Sequence, residues 1–161
     1  MRNWQQARDA RDARVAAGRA FANQKMVETR DVVALLEAVI RPGDRVCLEG
    51  DNQKHADFLA QCLAAVDVHR VHSLHMVQSG VVLPEHLDVF ESGVAKRLDY
   101  AYSGPQSSRI ATMLFGGKIE LGAVHTYLEL FARYFIDLTP KGRNESSPMD
   151  WMKRHDEYDS D

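Results

Sequence analysis

Cysteine is scarce in this chain: there are two, Cys47 and Cys62, with no CxxC spacing. Each sits in an apolar pattern, so the expectation is two reduced core thiols in a cytoplasmic protein, not a disulfide framework. Long apolar runs are missing as well. None approaches the ~20 residues of a membrane span, and the N-terminus lacks the apolar core of a secretory signal. Neither charge dominates: 20 Lys and Arg against 23 Asp and Glu leave a formal net charge of −3. That balance gives no global pull toward nucleic acid or an anionic membrane. Arg-rich transit peptides avoid acids, and Asp9 and Asp12 stand against that reading. There is no GxGxxG or Walker loop and no internal repeat. With 45% hydrophobic and 27% charged residues over 161 positions, wholesale disorder is excluded and one domain with a real core is expected.

What is present is organised around Arg45 to Leu63. Arg41-Pro42-Gly43-Asp44 is a tight turn, and Arg45-Val46-Cys47-Leu48-Glu49 after it reads as a buried strand. Gly50-Asp51-Asn52-Gln53 then turns the chain. From Lys54 the apolar residues Phe58, Leu59, Cys62 and Leu63 return at helical spacing, with Asp51 or Asn52 as a candidate N-cap. A strand, a sharp loop and a helix N-terminus form the kind of junction where α/β proteins bind ligands. The unpaired N–H groups of a first helical turn favour an anionic or carbonyl-bearing group.

The rest of the chain is read around that unit. Residues 1–30 give a charged, solvated helix with a thin apolar face of Trp4, Val15 and Phe21. Asp31 is a good N-cap for a short helix whose apolar face is Val32, Leu35, Leu36 and Val39. Val66 to Val77 is expected to be a second core strand. It carries His69, His72 and His75, but a spacing of three alternates faces in a strand and argues against a metal site. Leu83-Pro84-Glu85 opens a helix through His86 to Phe90. Arg97 to Ser103 alternates as a strand does and runs into Gly104-Pro105-Gln106-Ser107-Ser108, the start of a helix through Ile110, Met113 and Leu114. Gly116-Gly117 ends that helix. A short strand is expected at Ile119-Glu120-Leu121 and an aromatic-rich helix from Thr126 to Phe135. Alternating strands and helices imply an α/β fold with a mostly parallel sheet, flanking helices and right-handed crossovers. From Lys141 the sequence is polar and lacks apolar periodicity, so residues 141–161 read as a tail.

With these elements placed, four segments carry a family likeness: VVALLEAVIRPGDRVCLEGDNQKHADFLAQCL, VHSLHMVQSGVVLPEHLDVFE, LDYAYSGPQ and IELGAVHTYLELFARYFIDLTP. From about Val32 to Pro140 the chain resembles the α subunit of malonate decarboxylase, a family of acyl-carrier-protein transferases related to family I CoA transferases. The resemblance implies a CoA-transferase-like domain over residues 31–140. It also implies a reaction in which malonate displaces acetate from an acyl-carrier thioester. No cofactor would be bound directly; the partner acyl carrier protein would bear a phosphoribosyl-dephospho-CoA group. Other malonate decarboxylase subunits, malonate and acetate are the remaining implied partners, with no role for nucleic acid or membrane.

Such chemistry needs donors for a developing oxyanion and groups that hold the incoming carboxylate. The resemblance places Gly50, Asn52 and Gln53 against the thioester or pantetheine arm, with Ser103, Gly104 and Gln106 on the neighbouring wall. Glu49 is read as a positioning or structural acid and not as a nucleophile. His125 would orient a carboxylate or start a helix. Family members are several times longer, so the expectation is a truncated or frame-shifted form. It would be either a transferase fragment or a non-catalytic module that binds the carrier or another subunit. A small nucleotide- or CoA-binding domain is the third class.

Overall fold

The computed structural model describes residues 4–48 and 56–124. Helix α1 (Trp4–Arg19) leads into a small antiparallel hairpin, β1 (Ala22–Asn23) and β2 (Met26–Val27). Then follow α2 (Val32–Val39), β3 (Arg45–Cys47), α3 (Asp57–Ala64), β4 (Leu74–Gly80), α4 (Glu85–Glu91), β5 (Ala95–Tyr102), α5 (Ser107–Phe115) and β6 (Glu120–Val124). The last four strands form one sheet in the order β3-β4-β5-β6. Every neighbouring pair in it is parallel. Glu49 to His55, His125, the expected helix from Thr126 to Phe135 and the polar tail from Lys141 lie outside the described residues.

Consecutive strand order has a geometric consequence. Right-handed crossovers repeated in one direction carry every connecting helix to the same face. The core agrees. The row Val46, Met76, Leu98 packs with Leu63, Leu87, Phe90, Ile110 and Met113 from the helices. The opposite face carries Arg45, Cys47, His75, Arg97 and Asp99 in matching register. This alters one expectation: Cys62 is buried, but Cys47 is exposed, because it sits on the face that the connecting helices leave alone. Burial pushes the Cys62 thiol pKa up, which keeps it protonated and inert.

The turn before β3 forms as its residues dictate. Gly43 takes φ +77°, Asp44 N–H donates to Arg41 C=O at 3.1 Å, and the Asp44 carboxylate accepts from Arg41 N–H at 2.8 Å. The same carboxylate receives Arg14 from α1 at 2.6 and 3.2 Å. A forked ion pair thus ties the first helix to the sheet. Val15 of α1 remains 48% exposed, in keeping with the thin apolar face.

Three other elements depart from expectation. The stretch from Val66 to Val77 is not one strand: β4 begins only at Leu74. Asp67 organises a turn first, its side chain accepting from His69 N–H and its C=O from Arg70 and Val71 N–H. This Asx-type local bonding competes with a sheet ladder. His69 falls in that turn, His72 follows it, and of the three only His75 is in the strand. Helix α3 starts at Asp57 with Ala56 at the N-cap position and no side-chain cap bond, so neither Asp51 nor Asn52 holds that role. Its buried residues are Ala60, Cys62 and Leu63, while Phe58 and Leu59 are 42% and 46% exposed. Asp31 does precede α2, but its side chain makes no cap bond.

Candidate functional site

The carboxyl ends of the parallel strands are built from the residues that close β5. Ser103 leaves the strand, Gly104–Gln106 forms a single 3₁₀ turn with Pro105 inside it, and α5 follows at Ser107. Gly104 holds φ +47°, a left-handed conformation that costs other residues energy. A Cβ there would also meet the Tyr102 ring at 2.9 Å. The hydroxyls then sort themselves. Ser107 Oγ donates to Gly104 C=O at 2.8 Å, which uses its proton. Ser103 Oγ, 2.7 Å from Ser107 Oγ, is therefore the donor in that pair, and its lone pairs stay open to accept. Gln106 Nε2 reaches Val82 C=O at 3.4 Å, a long bond, and Val81 N–H donates to Tyr102 C=O at 2.7 Å. These two links draw the loops after β4 and β5 together.

The structure thus brings Ser103, Gly104 and Gln106 into one turn. Gly50, Asn52 and Gln53 lie outside the described residues. Leu48, just before them, is the last described residue of β3's exit; its N–H donates to Val77 C=O at 3.3 Å. On α5, Arg109 is already committed, to Pro84 C=O, Asp88 and Glu91 at 2.8, 2.8 and 2.9 Å. It fixes α5 to α4 and is not a ready cation for a substrate.

Two features escaped the sequence reading. The first is Gln78, fully buried in an inner strand with neither side-chain amide atom hydrogen-bonded among the described residues. Leaving such groups unpaired costs about 1–3 kcal/mol. The signal was available as one amide inside the apolar run LHMVQ. The second is a polar cluster on the face away from the core helices. His75 Nε2 lies 2.9 Å from Asp99 Oδ1, and Arg97 Nε stands 4.0 Å from the same oxygen. Asp99 is 1% exposed. Its neighbour in β6 is a register step: Leu98 pairs with Leu121 and Asp99 with Ala123, which leaves Gly122 as the extra residue. The carboxylate lies over that glycine. Nothing in the sequence joins residues 75, 99 and 122 until the strand register is known. Among the described residues no group of three or more His, Cys, Asp or Glu is placed to hold a metal ion.

Burial lowers the His75 pKa below its ordinary 6.5, Asp99 opposes this, and Arg45 and Arg97 add to the lowering. The folded chain therefore binds this proton less readily than the unfolded chain. Stability from neutral His75 is complete above pH ~6.5 and declines as pH falls below that value. The melting temperature should drop on acidification through this window. His75→Gln keeps a donor for Asp99 and should flatten this part of the profile. A profile untouched by the substitution would remove His75 as its source.

An all-parallel sheet with its loops gathered at the strand ends defines an α/β protein of the kind that binds ligand at that edge. The family model described as malonate decarboxylase, alpha subunit, transporter matches residues 3–143, and the chain belongs to that family. A curated relative from Malonomonas rubra, an acetyl-S-ACP:malonate ACP transferase, is 58% identical over 133 residues, which is 83% of this chain and 24% of the relative. A malonate decarboxylase alpha subunit from Acinetobacter baumannii superposes with a TM-score of 0.80 at 42% identity, covering 84% of this chain and 25% of that one. A Pseudomonas malonate decarboxylase hetero-tetramer, solved in complex with malonate, gives 0.79 at 50% identity over 84% and 25%. The chain therefore spans about a quarter of the length of these relatives.

Proposed function

We propose that this chain carries part of the acyl-carrier thioester site of an acetyl-S-ACP:malonate ACP transferase. The observation that carries the reading is 58% identity with a transferase of that name over most of the chain. The net reaction converts acetyl carrier and malonate to malonyl carrier and acetate. A malonate carboxylate attacks the acetyl thioester carbonyl and expels the carrier thiolate, giving a mixed acetyl–malonyl anhydride. The thiolate then attacks the malonyl carbonyl and expels acetate, and each tetrahedral intermediate places negative charge on the former carbonyl oxygen. Fixed N–H donors at that oxygen lower the barrier.

In this reading Gly50, Asn52 and Gln53 face the thioester, and Ser103, Gly104 and Gln106 form the adjoining wall of a CoA-transferase-like sheet. The carrier brings the phosphoribosyl-dephospho-CoA group, and the remaining subunits of a malonate decarboxylase complete the assembly in the cytoplasm. None of the described helices is long and apolar enough to cross a membrane. The test is the rate of malonate-dependent acetate release from acetyl carrier. Changing Asn52 and Gln53 to Ala should reduce it by about tenfold or more, as the loss of oxyanion donors does. An unchanged rate would take the loop out of the site.

A second reading keeps the carrier contact without turnover. It is favoured by β6, an outer strand among the described residues, where Leu121 and Val124 are exposed, and by Phe115 at the end of α5, which is 90% exposed. An exposed apolar strand edge is suited to pairing with another segment or subunit. Carrier binding with no acetate release would select this reading.

A further inference from the structure

Tyr102 is the last residue of β5, one step before the turn of Ser103, Gly104 and Gln106. Period-two alternation sets it on the stripe of Leu98 and Tyr100. Leu98 is buried and Tyr100 packs on the core, but Tyr102 stands past that layer at 57% exposure. Two glycines make its seat. Its partner in β4 is Gly80, which puts no side chain beside the ring. Gly104 lies against the hydroxyl end of the ring: a Cβ there would meet Cε1, Cζ and Oη at 2.9, 3.2 and 3.3 Å. The φ of +47° at Gly104 also favours glycine, so the shape of the turn and the approach of the ring depend on the same residue. The phenolic oxygen is thereby held over the turn that opens α5.

The side-chain donors around this turn are otherwise in use. Ser107 donates to Gly104 C=O, Ser103 to Ser107, and Gln106 Nε2 reaches Val82 C=O. Arg109 is held by Pro84, Asp88 and Glu91. Tyr102 Oη has no hydrogen-bond partner among the described residues. A free O–H at an accessible strand end suits an anionic oxygen. In the proposed transfer the incoming substrate, malonate, has two carboxylates. One attacks the thioester, and a hydrogen bond to it would draw on the lone pair that forms the new bond. The other does not react, so a contact there holds the substrate without that cost. Acetate has no second carboxylate. We propose that Tyr102 is a binding and specificity residue whose Oη–H donates to the non-attacking carboxylate of malonate and so separates malonate from acetate. This assignment deepens the transferase reading and rests on it for the identity of the dicarboxylate.

The test is Tyr102→Phe in the full chain, which deletes Oη and keeps the ring on Gly104. Malonate and acetate are the probes, each titrated separately and followed by NMR. Malonate affinity should fall about tenfold, the effect of losing one hydrogen bond to a charged group, while acetate affinity stays as in wild type. The melting temperature should not move, since an exposed hydroxyl without a protein acceptor adds little to the fold. Unchanged malonate affinity in the variant, an equal loss for acetate, or no malonate binding by the wild-type chain would each overturn the assignment. A lower melting temperature with unchanged affinity would give the hydroxyl to the fold instead. The titration uses neither carrier nor turnover. A chain that binds malonate through Tyr102 yet releases no acetate from acetyl carrier would therefore retain the assignment and lose the transferase reading.

Discussion

Gly122→Ala should destabilise the fold by about 3 kcal/mol or more, in a strand where alanine is normally tolerated. The expected cost has two sources. A Cβ at this position collides with the Asp99 carboxylate and comes within 2.6 Å of Arg97 Nε. Forcing extra atoms into packed space costs about 1–3 kcal/mol by itself. Asp99 then has to move off His75 Nε2, now 2.9 Å away. Leaving a buried carboxylate without its hydrogen-bond donor costs about 1–3 kcal/mol, more because the acceptor is charged. The two terms overlap, so the sum is not expected. Urea denaturation measures the effect through the midpoint at constant slope. Gly43→Ala is the control. Gly43 has φ +77° and open space around the missing Cβ, so it should show conformational strain alone, about 1 kcal/mol. Equal losses at the two positions would mean that Asp99 moves aside freely and that the polar cluster is soft.

The elements that could be read from the sequence are those set by local chemistry. Arg41-Pro42-Gly43-Asp44 makes its turn from its own residues, with Asp44 bonding back to Arg41. The entry to α4 at Pro84-Glu85 and the end of α5 at Gly116-Gly117 are similarly local. The parallel sheet followed from their alternation with strands. Errors arose where local bonding competes with a sheet ladder, or where the assembled sheet decides which face is covered. Val66 to Val71 has the residue types of a strand, but Asp67 captures three backbone N–H groups and delays β4 to Leu74. Cys47 has apolar neighbours in sequence, yet its face of the sheet lacks the core helices.

The candidate site was legible in the same proportion. Ser103, Gly104 and Gln106 are close in sequence and make one turn, so their grouping is local. The pairing of His75 with Asp99 depends on a register step at Gly122, which only the assembled sheet reveals. Gln78 was passed over for a related reason. Its burial comes from an inner strand of the sheet, where it pairs with Tyr100, while the residue type alone suggests a surface.

The inward face of α3 supplies the second large effect, through a comparison of two leucines. Leu63→Ala should cost about 2–5 kcal/mol, and Leu59→Ala less than about 1 kcal/mol. The two are four residues apart, so helical periodicity alone places them on one stripe. Their exposures differ, at 2% for Leu63 and 46% for Leu59. The core-facing line of α3 runs through Ala56, Ala60, Leu63 and Ala64. Three alanines there let the helix approach closely, with Ala60 at 0% exposure. Leu59 lies at the margin of that line, in the first turn. The large side chains had drawn attention to Phe58 and Leu59, while the small ones mark the contact. Close packing leaves a cavity when Leu63 is truncated, because its neighbours can relax only partly. Truncating Leu59, which is about half exposed, leaves no closed cavity. Chemical denaturation of the two alanine variants should therefore separate them by at least about 2 kcal/mol. Similar losses would show that Leu59 is covered in solution and restore the broader helix face.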